Sequence, residues 1–395
     1  MIDFSLTEEQ RAIQKMARDF AEREIRPKAV QYDRALDPKE CFPWEIVRKG
    51  GQLGFNTMEV PKSYGGPGFG DLEMALVCEE LGWGDAGVAT TFAACMLGLL
   101  PIIRFGTPAQ KDRFLPPLLE DEAALIGLAA TEPGSGSDGF GLGPVESGPM
   151  TRAERDGDDY VLNGTKRFIT NGGVSRLYTV MARTDPKRSP LEGVSAFIVP
   201  SDTPGLSIGK IEDKMGQRLG QQSELVFEEM RVPRENLLGV ENGGATVLFG
   251  VLPTINALVG ALATGLARAA YEASVEYAKV RVQGGKPIIH HQAISLMLAD
   301  MKMKIDAARH LVWNCCWYHD AHPGAYDLVR GAMAKVYPTD VAMEVTTNAV
   351  QIFSGYGYMR DYPVEKYMRD AKLTQIYDGT NQILRFVIAS EHQQG

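Results

Sequence analysis

The chain has 395 residues, more than one ordinary core organises and enough for two or three packed domains. Hydrophobic residues are 44% and charged residues 23%, with 41 Lys+Arg against 50 Asp+Glu and a formal charge of −9. This balance is globular and excludes a general nucleic-acid surface, which needs a basic face, while leaving room for a local basic pocket.

The N-terminal third reads as helical. Thr7 and Gln10 make a capping box, and Ile13, Met16, Phe20 and Ile25 follow on one helical face. Residues 71–81 repeat the pattern with Met74, Val77, Cys78 and Leu81. The apolar stretch 89–103 is too short and interrupted to span a bilayer, so no membrane segment is expected. Thr107-Pro108 opens a short helix reaching Glu120. Near residue 125 glycines become dense and strand signals follow. Asp156-Gly157 and Asn163-Gly164 read as hairpin turns, and 193–200 and 223–232 as strands. The helical period returns after Gly243 in 262–280, 292–319 and 327–353, with Pro338 a kink or break, and a last helix covers 380–392. The fold class is α+β: an N-terminal helical domain (1–120), a middle antiparallel β domain (121–235) and a C-terminal bundle of four-helix type (236–395).

Five cysteines (Cys41, Cys78, Cys95, Cys315, Cys316) form no C-x-x-C pair, their number is odd, and two are adjacent. Neither a disulfide framework nor zinc spacing is present, which points to a reducing, cytoplasmic compartment. The opening residues lack the basic-then-apolar order of a signal peptide. His319 and His322 have no Cys or acid cluster beside them, so no metal site is expected. Trp313, Trp317 and the 315–316 cysteines read as bundle core.

Three segments carry candidate chemistry. In 131–139 (TEPGSGSDG), Gly134, Gly136 and Gly139 satisfy G-x-G-x-x-G, but the following 140–144 (FGLGP) will not open the helix that a dinucleotide fold requires. A phosphate-cradling loop and an ordinary surface loop both remain open. In 163–172 (NGTKRFITNG), period two puts Phe168 and Thr170 on one side of a strand, where a ring and a hydroxyl suit a flat cofactor with polar edges; a plain core strand also fits. In 375–383 (QIYDGTNQI), Asp378 stands at a helix start, as a cap or as a reactive acid.

Taken together and in this order, the segments resemble the acyl-CoA dehydrogenase family. The resemblance covers nearly the whole chain and rests on 130–138 (ATEPGSGSD), 168–172 (FITNG), 291–294 (HQAI), 362–366 (YPVEK) and 368–372 (MRDAK). It implies FAD held between the β domain and the C-terminal bundle. Ala130, Thr131, Phe168 and Thr170 would line the flavin ring, with Thr380 and Gln382 also facing FAD. Ser137 would contact CoA and the cofactor phosphates, and Gly379 and Asn256 the substrate. Family members are usually homotetramers in which a neighbouring subunit completes each FAD site; Arg281, Gln292, Gln351 and Gly355 occupy those positions here.

The implied chemistry is α,β-dehydrogenation of an acyl-CoA thioester. Asp378 would take the acidified α-proton as hydride leaves the β-carbon for flavin N5. Donors for the carbonyl would be the backbone N–H of the base residue and a ribityl hydroxyl. Electrons would pass on to electron-transferring flavoprotein. An Asp starts near 3.9 and is raised by burial, as a base working near neutrality needs.

The chain also departs from the pattern. The family usually has Glu where Asp378 stands, about one methylene longer, and misplacement of roughly 1 Å can cost about 10²-fold in rate. The stretch 253–259 offers no alternative carboxylate, the Arg usual near Asn256 is missing, and Gly284 replaces a usual aromatic. Asp378 therefore reads as a working base in a roomier pocket that admits an α-branched or alicyclic acyl-CoA. The alternatives are a diverged flavoenzyme of the nitroalkane oxidase or desulfinase kind, and a flavin-binding protein with little turnover.

Overall fold

The computed structural model describes residues 5–140 and 147–393. Helix α1 (Glu8–Phe20) starts at the expected capping box: the Thr7 hydroxyl accepts from the Gln10 N–H at 3.1 Å, and the Gln10 side chain accepts from the Thr7 N–H at 3.0 Å. Ile13, Phe20 and Ile25 are buried, although a π-helical turn at Ala21–Ile25 separates α1 from α2 (Arg26–Asp33). Helices α3 (Trp44–Gln52), α4 (Asp71–Gly84) and α5 (Ala86–Phe105) follow. By length and composition α5 could cross a membrane, contrary to the expectation of a stretch too short to do so, but it is almost wholly buried in the fold. The single helix expected up to Glu120 is two, α6 (Pro108–Phe114) and α7 (Pro116–Glu120), because Pro116 cannot donate a backbone hydrogen bond.

Among the described residues eight strands form one sheet: β1 (Ile126–Ala129), β2 (Arg152–Asp156), β3 (Asp159–Thr170), β4 (Leu177–Arg183), β5 (Val194–Pro200), β6 (Leu206–Ile211), β7 (Gln222–Pro233) and β8 (Leu237–Leu238). A short α8 (Pro190–Gly193) precedes β5. The strand order is β6-β7-β3-β2-β4-β5-β8, with β1 beside β4. The sheet is mixed rather than purely antiparallel, since β1 and β2 both run parallel to β4. Asp156-Gly157 does make a hairpin, closed by the Asp156–Asp159 pair with Gly157 at φ +64°. Asn163-Gly164 does not: it lies inside β3 at a register shift, where Gly164 adopts φ +148° and a side chain would strike Thr151.

After α9 (Gly244–Phe249), the long α10 (Leu252–Val280) leads to a two-strand turn, β9 (Val282–Gln283) and β10 (Lys286–Pro287). Helices α11 (Gln292–Ala321), α12 (Leu328–Phe353), α13 (Val364–Thr374) and α14 (Asn381–Ser390) complete the bundle. Pro338 neither breaks nor ends α12. Proline costs a helix the bond to the carbonyl four residues back, here Ala334, and α10 closes on that carbonyl at Gly260, where no side chain would fit. Cys315 and Cys316 are buried as expected, but Trp317 is 57% exposed, because it projects from the outer side of α11.

One apolar cluster runs from Ile13 through α4 and α10 to Ala371, so the N-terminal helices and the bundle share a core; the sheet has its own around Tyr160, Phe197 and Phe227. A buried ionic junction joins three parts of the chain. Lys366 on α13 donates to Asp85 and Asp370, each at 2.5 Å. Asp85 caps α5 through the Gly87 and Val88 N–H groups, and Asp370 accepts from the Gln217 N–H ahead of β7. This junction fixes α13 beside the cavity described next.

Candidate active site

A cavity of about 590 Å³ opens between the sheet and the helices, with walls from the loop after β1, the end of β3 and the turn before α14. These are the three segments singled out in the sequence. The structure brings Ala130, Thr131, Ser137, Phe168, Thr170, Asp378, Gly379 and Thr380 onto its wall.

The loop after β1 is held from behind by a buried ion pair. Lys166 on β3 donates to Glu132 at 2.7 Å and to the Ala130 carbonyl at 3.1 Å. Glu132 also accepts from the Met150 and Thr151 N–H groups at 2.6 and 2.9 Å. Burial alone would raise Glu132, but Lys166 and these bonds hold it below the usual carboxylate range. Glu132 is therefore structural. Ahead of it, nothing stands where a side chain on Gly134 or Gly136 would point, so the loop presents bare backbone. A 3-10 turn (Ser137–Phe140) follows β1 and this loop, not a helix; residues 141–144 lie outside the described residues.

Phe168 and Thr170 both reach the cavity, though through an irregularity that period two does not foresee. The β3–β7 register shifts between Lys166 and Ile169, and Phe168 adopts φ +59° with half its surface exposed. An aromatic residue in the left-handed region is uncommon and strained, and such strain concentrates at binding sites. The Thr170 hydroxyl accepts from the Gln222 side chain at 3.1 Å, which leaves its own hydrogen to donate.

The third wall is a turn with two successive left-handed residues, Asp378 at φ +53° and Gly379 at φ +89°. Asp tolerates this conformation better than most side chains. The cap belongs to Thr380, whose hydroxyl accepts from the Ile383 N–H at 3.3 Å, so Asp378 is not spent on capping. Among the described residues its carboxylate takes no hydrogen bond. Burial pushes it up to about 6, opposed only by the charge of Lys335. Lys335 was not foreseen from the sequence; it lies fully buried on α12 and donates to the Gly379 carbonyl at 2.8 Å.

The rest of the wall separates by character. Leu97, Leu128, Met181, Leu248, Phe249 and Leu252 make an apolar side, while Lys214, Arg369 and Lys372 contribute cations. Phe168, the three threonine hydroxyls and the open glycine loop are chemically suited to a flat, phosphate-bearing cofactor.

Six expected residues lie elsewhere. Arg281 ends α10 with its guanidinium 5.3 Å from the Tyr356 ring, next to exposed Gly355. Gln292 opens α11 and Gln351 sits in the last turn of α12, both exposed. Gln382 is exposed on the first turn of α14. Asn256 also stands off the cavity, buried within α10 with its side-chain oxygen unpartnered among the described residues. His319 meets Asp71 at 2.9 Å, and no cluster of three or more metal-ligating side chains occurs among the described residues.

Three family profiles match in chain order: the acyl-CoA dehydrogenase N-terminal domain over residues 7–122, its middle domain over 127–230 and its C-terminal domain over 242–392. The chain is 44% identical over 382 residues to a cyclohex-1-ene-1-carbonyl-CoA dehydrogenase of Geobacter metallireducens, covering 97% of each. It is 44% identical over 388 residues to a short-chain-specific acyl-CoA dehydrogenase of Megasphaera elsdenii, again covering 97% of each. The solved butyryl-CoA dehydrogenase of Megasphaera elsdenii superposes with a TM-score of 0.92 at 43% identity over the whole of both chains. A chain from a structure described as the electron transferring flavoprotein of Acidaminococcus fermentans superposes with a TM-score of 0.92 at 42% identity, also over both whole chains. The cavity, its three motif walls and these likenesses agree: the chain belongs to the acyl-CoA dehydrogenase family, FAD-dependent oxidoreductases acting on the CH–CH bond of acyl-CoA thioesters.

Proposed function

We propose that Asp378 is the base that takes the α-proton of an acyl-CoA thioester, and that the preferred acyl group is α-branched or alicyclic. The observation that carries this reading is a cavity-wall carboxylate, free of hydrogen bonds and pushed up to about 6 by burial. A base with that value is mostly ionised at neutrality yet still basic enough to accept a carbon-bound proton.

The chain's own groups divide the remaining work. The apolar side around Leu97, Phe249 and Leu252 takes the acyl group and excludes water. Lys214, Arg369 and Lys372 supply positive charge for the CoA phosphates, with Ser137 as a hydroxyl donor. FAD, when bound against Ala130, Thr131, Phe168, Thr170 and Thr380, would accept the hydride that leaves the β-carbon. The shorter Asp leaves about one methylene of extra space beside the α-carbon, which favours a substituted carbon there. That a relative at 44% identity is a cyclohex-1-ene-1-carbonyl-CoA dehydrogenase supports the alicyclic choice.

Arg281, Gln292, Gln351 and Gly355, away from the cavity and mostly exposed, belong in this reading to FAD sites completed across subunits of a homotetramer. Electron-transferring flavoprotein is the acceptor the reading favours, and five free, buried thiols agree with a reducing, cytoplasmic setting.

The test is anaerobic mixing of holoenzyme with straight-chain, α-branched and cyclohexanecarbonyl thioesters, following loss of flavin absorbance in wild type and Asp378→Asn. Bleaching strongest with the branched or cyclic members, and absent in the variant, supports the reading. Bleaching only with straight chains refutes the substrate assignment, and an active Asp378→Asn refutes the base.

A further inference from the structure

We propose that Lys335 is the positioning residue for the catalytic base: its ammonium locks the Asp378–Gly379 turn from beneath and holds the Asp378 carboxylate in its reactive, ionised form. The proposal rests on the reading of Asp378 as the base.

Three observations support it. Lys335 is fully buried on α12, yet its ammonium donates to two neutral oxygens, the Gly379 carbonyl at 2.8 Å and the Asn381 side-chain oxygen at 2.7 Å. Asn381 is itself fixed in orientation, since its amide donates to Thr339 at 2.9 Å and Asp340 at 2.8 Å. The oxygen that faces Lys335 is thereby set, and α12 reaches across the bundle to hold a turn 44 residues further along the chain. Finally, an ammonium without a bonded carboxylate costs several kcal/mol to bury. A neutral side chain could fill the same space, so shape alone does not account for the lysine.

The charge accounts for it. The interaction with Asp378 is the largest that favours the charged form of Lys335, and Lys335 is the one group that favours the charged form of Asp378. Burial meanwhile pulls Lys335 down to about 7. The other groups facing the pair are Asp340 on α12, Arg385 on α14 and the half-buried Tyr377 beside Asp378. Across the cavity stand Arg369 and Lys372 on α13, and Glu212, Asp213 and Lys214 between β6 and β7. Asp340 is already engaged by Arg385 at 2.5 Å, which leaves the Lys335 charge to Asp378.

The experiment is a pH titration of holoenzyme by infrared difference spectroscopy, following the protonated-carboxyl band that Asp378→Asn removes. Lys335→Met and Lys335→Gln drop the charge, Gln keeping a donor for Gly379; Lys335→Arg keeps the charge. Both neutral variants are expected to move the Asp378 titration up by about one pH unit or more, with Arg close to wild type. Their flavin-reduction rate at pH 6 should fall about fivefold or more and recover towards pH 8, with KM little changed. Wild-type titration in both neutral variants overturns the proposal, while an Asp378→Asn enzyme of full activity overturns the base reading instead. Should neither neutral variant fold, lysine-13Cε NMR of wild-type and Asp378→Asn holoenzyme decides, because the coupling is reciprocal. The resonance that titrates near pH 7 must then shift to lower pH in Asp378→Asn, and an unmoved resonance overturns the proposal.

Discussion

The pH dependence of the reductive half-reaction follows directly from the Asp378 environment. Its ordinary value of 3.8 rises to about 6 through burial, with Lys335 opposing. The ionised fraction is then about nine-tenths at pH 7, one half at pH 6 and roughly one-tenth at pH 5. Flavin reduction at saturating acyl-CoA should fall along this curve, losing about fivefold from pH 6 to pH 5 and about tenfold for each unit below that. The sign for stability is opposite to that of a salt-bridged acid. The native value lies above the unfolded one, so ionised Asp378 costs the fold up to about 3 kcal/mol. That cost is absent below pH 4, builds between 4 and 6, and is full above 6. Asp378→Asn should therefore be inactive yet no less stable than wild type at pH 7.5, with the difference vanishing near pH 4. Stopped-flow bleaching from pH 5 to 8, with thermal unfolding of both proteins over the same range, checks both parts. A rate constant flat down to pH 5, or an acid limb near 4, would refute the reasoning.

Asp378→Glu pushes the carboxylate about 1 Å into the cavity and should slow bleaching by branched or cyclic thioesters about 10- to 100-fold while sparing straight chains; kcat/KM across a substrate panel reads this. Lys366→Met leaves Asp85 and Asp370 buried without their shared cation and should cost about 3–5 kcal/mol in urea unfolding. Phe168→Gly relieves a left-handed aromatic, so the apoprotein should gain up to about 1–2 kcal/mol while FAD retention on a desalting column falls. Arg281→Ala should weaken FAD retention although the residue is off the cavity wall, and mass photometry should show fewer tetramers.

Much of the fold was legible because it is written locally. The capping box at Thr7/Gln10 forms as the sequence says, since both partners lie three residues apart, and Thr107 caps its helix ahead of Pro108 as expected, with Gln110 adding a second box. The long bundle helices announce themselves through apolar periodicity. Helix α13 did not, because its inward face carries Lys366 and Asp370, which look solvated until Asp85 is brought to them from 281 residues away. Asn163-Gly164 carried a hairpin signal, but the strand continues through it because Gly164 packs on Thr151. At the site, the glycine loop, the Phe168–Thr170 strand and the Asp378 turn were visible as motifs, and the fold brings them to one cavity. Lys335 was invisible: a single lysine in an alanine-rich helix reads as surface, and its partners appear only when α12 packs beneath the turn.

The central claim is that Asp378 removes the α-proton of a branched or cyclic acyl-CoA. The most direct measurement is anaerobic bleaching with cyclohexanecarbonyl-CoA deuterated at the α-carbon, in wild type and Asp378→Asn. The account predicts a primary isotope effect on the wild-type rate and no bleaching in the variant. Bleaching by the variant at the wild-type rate, or none by the wild type with any branched or cyclic thioester, would contradict it.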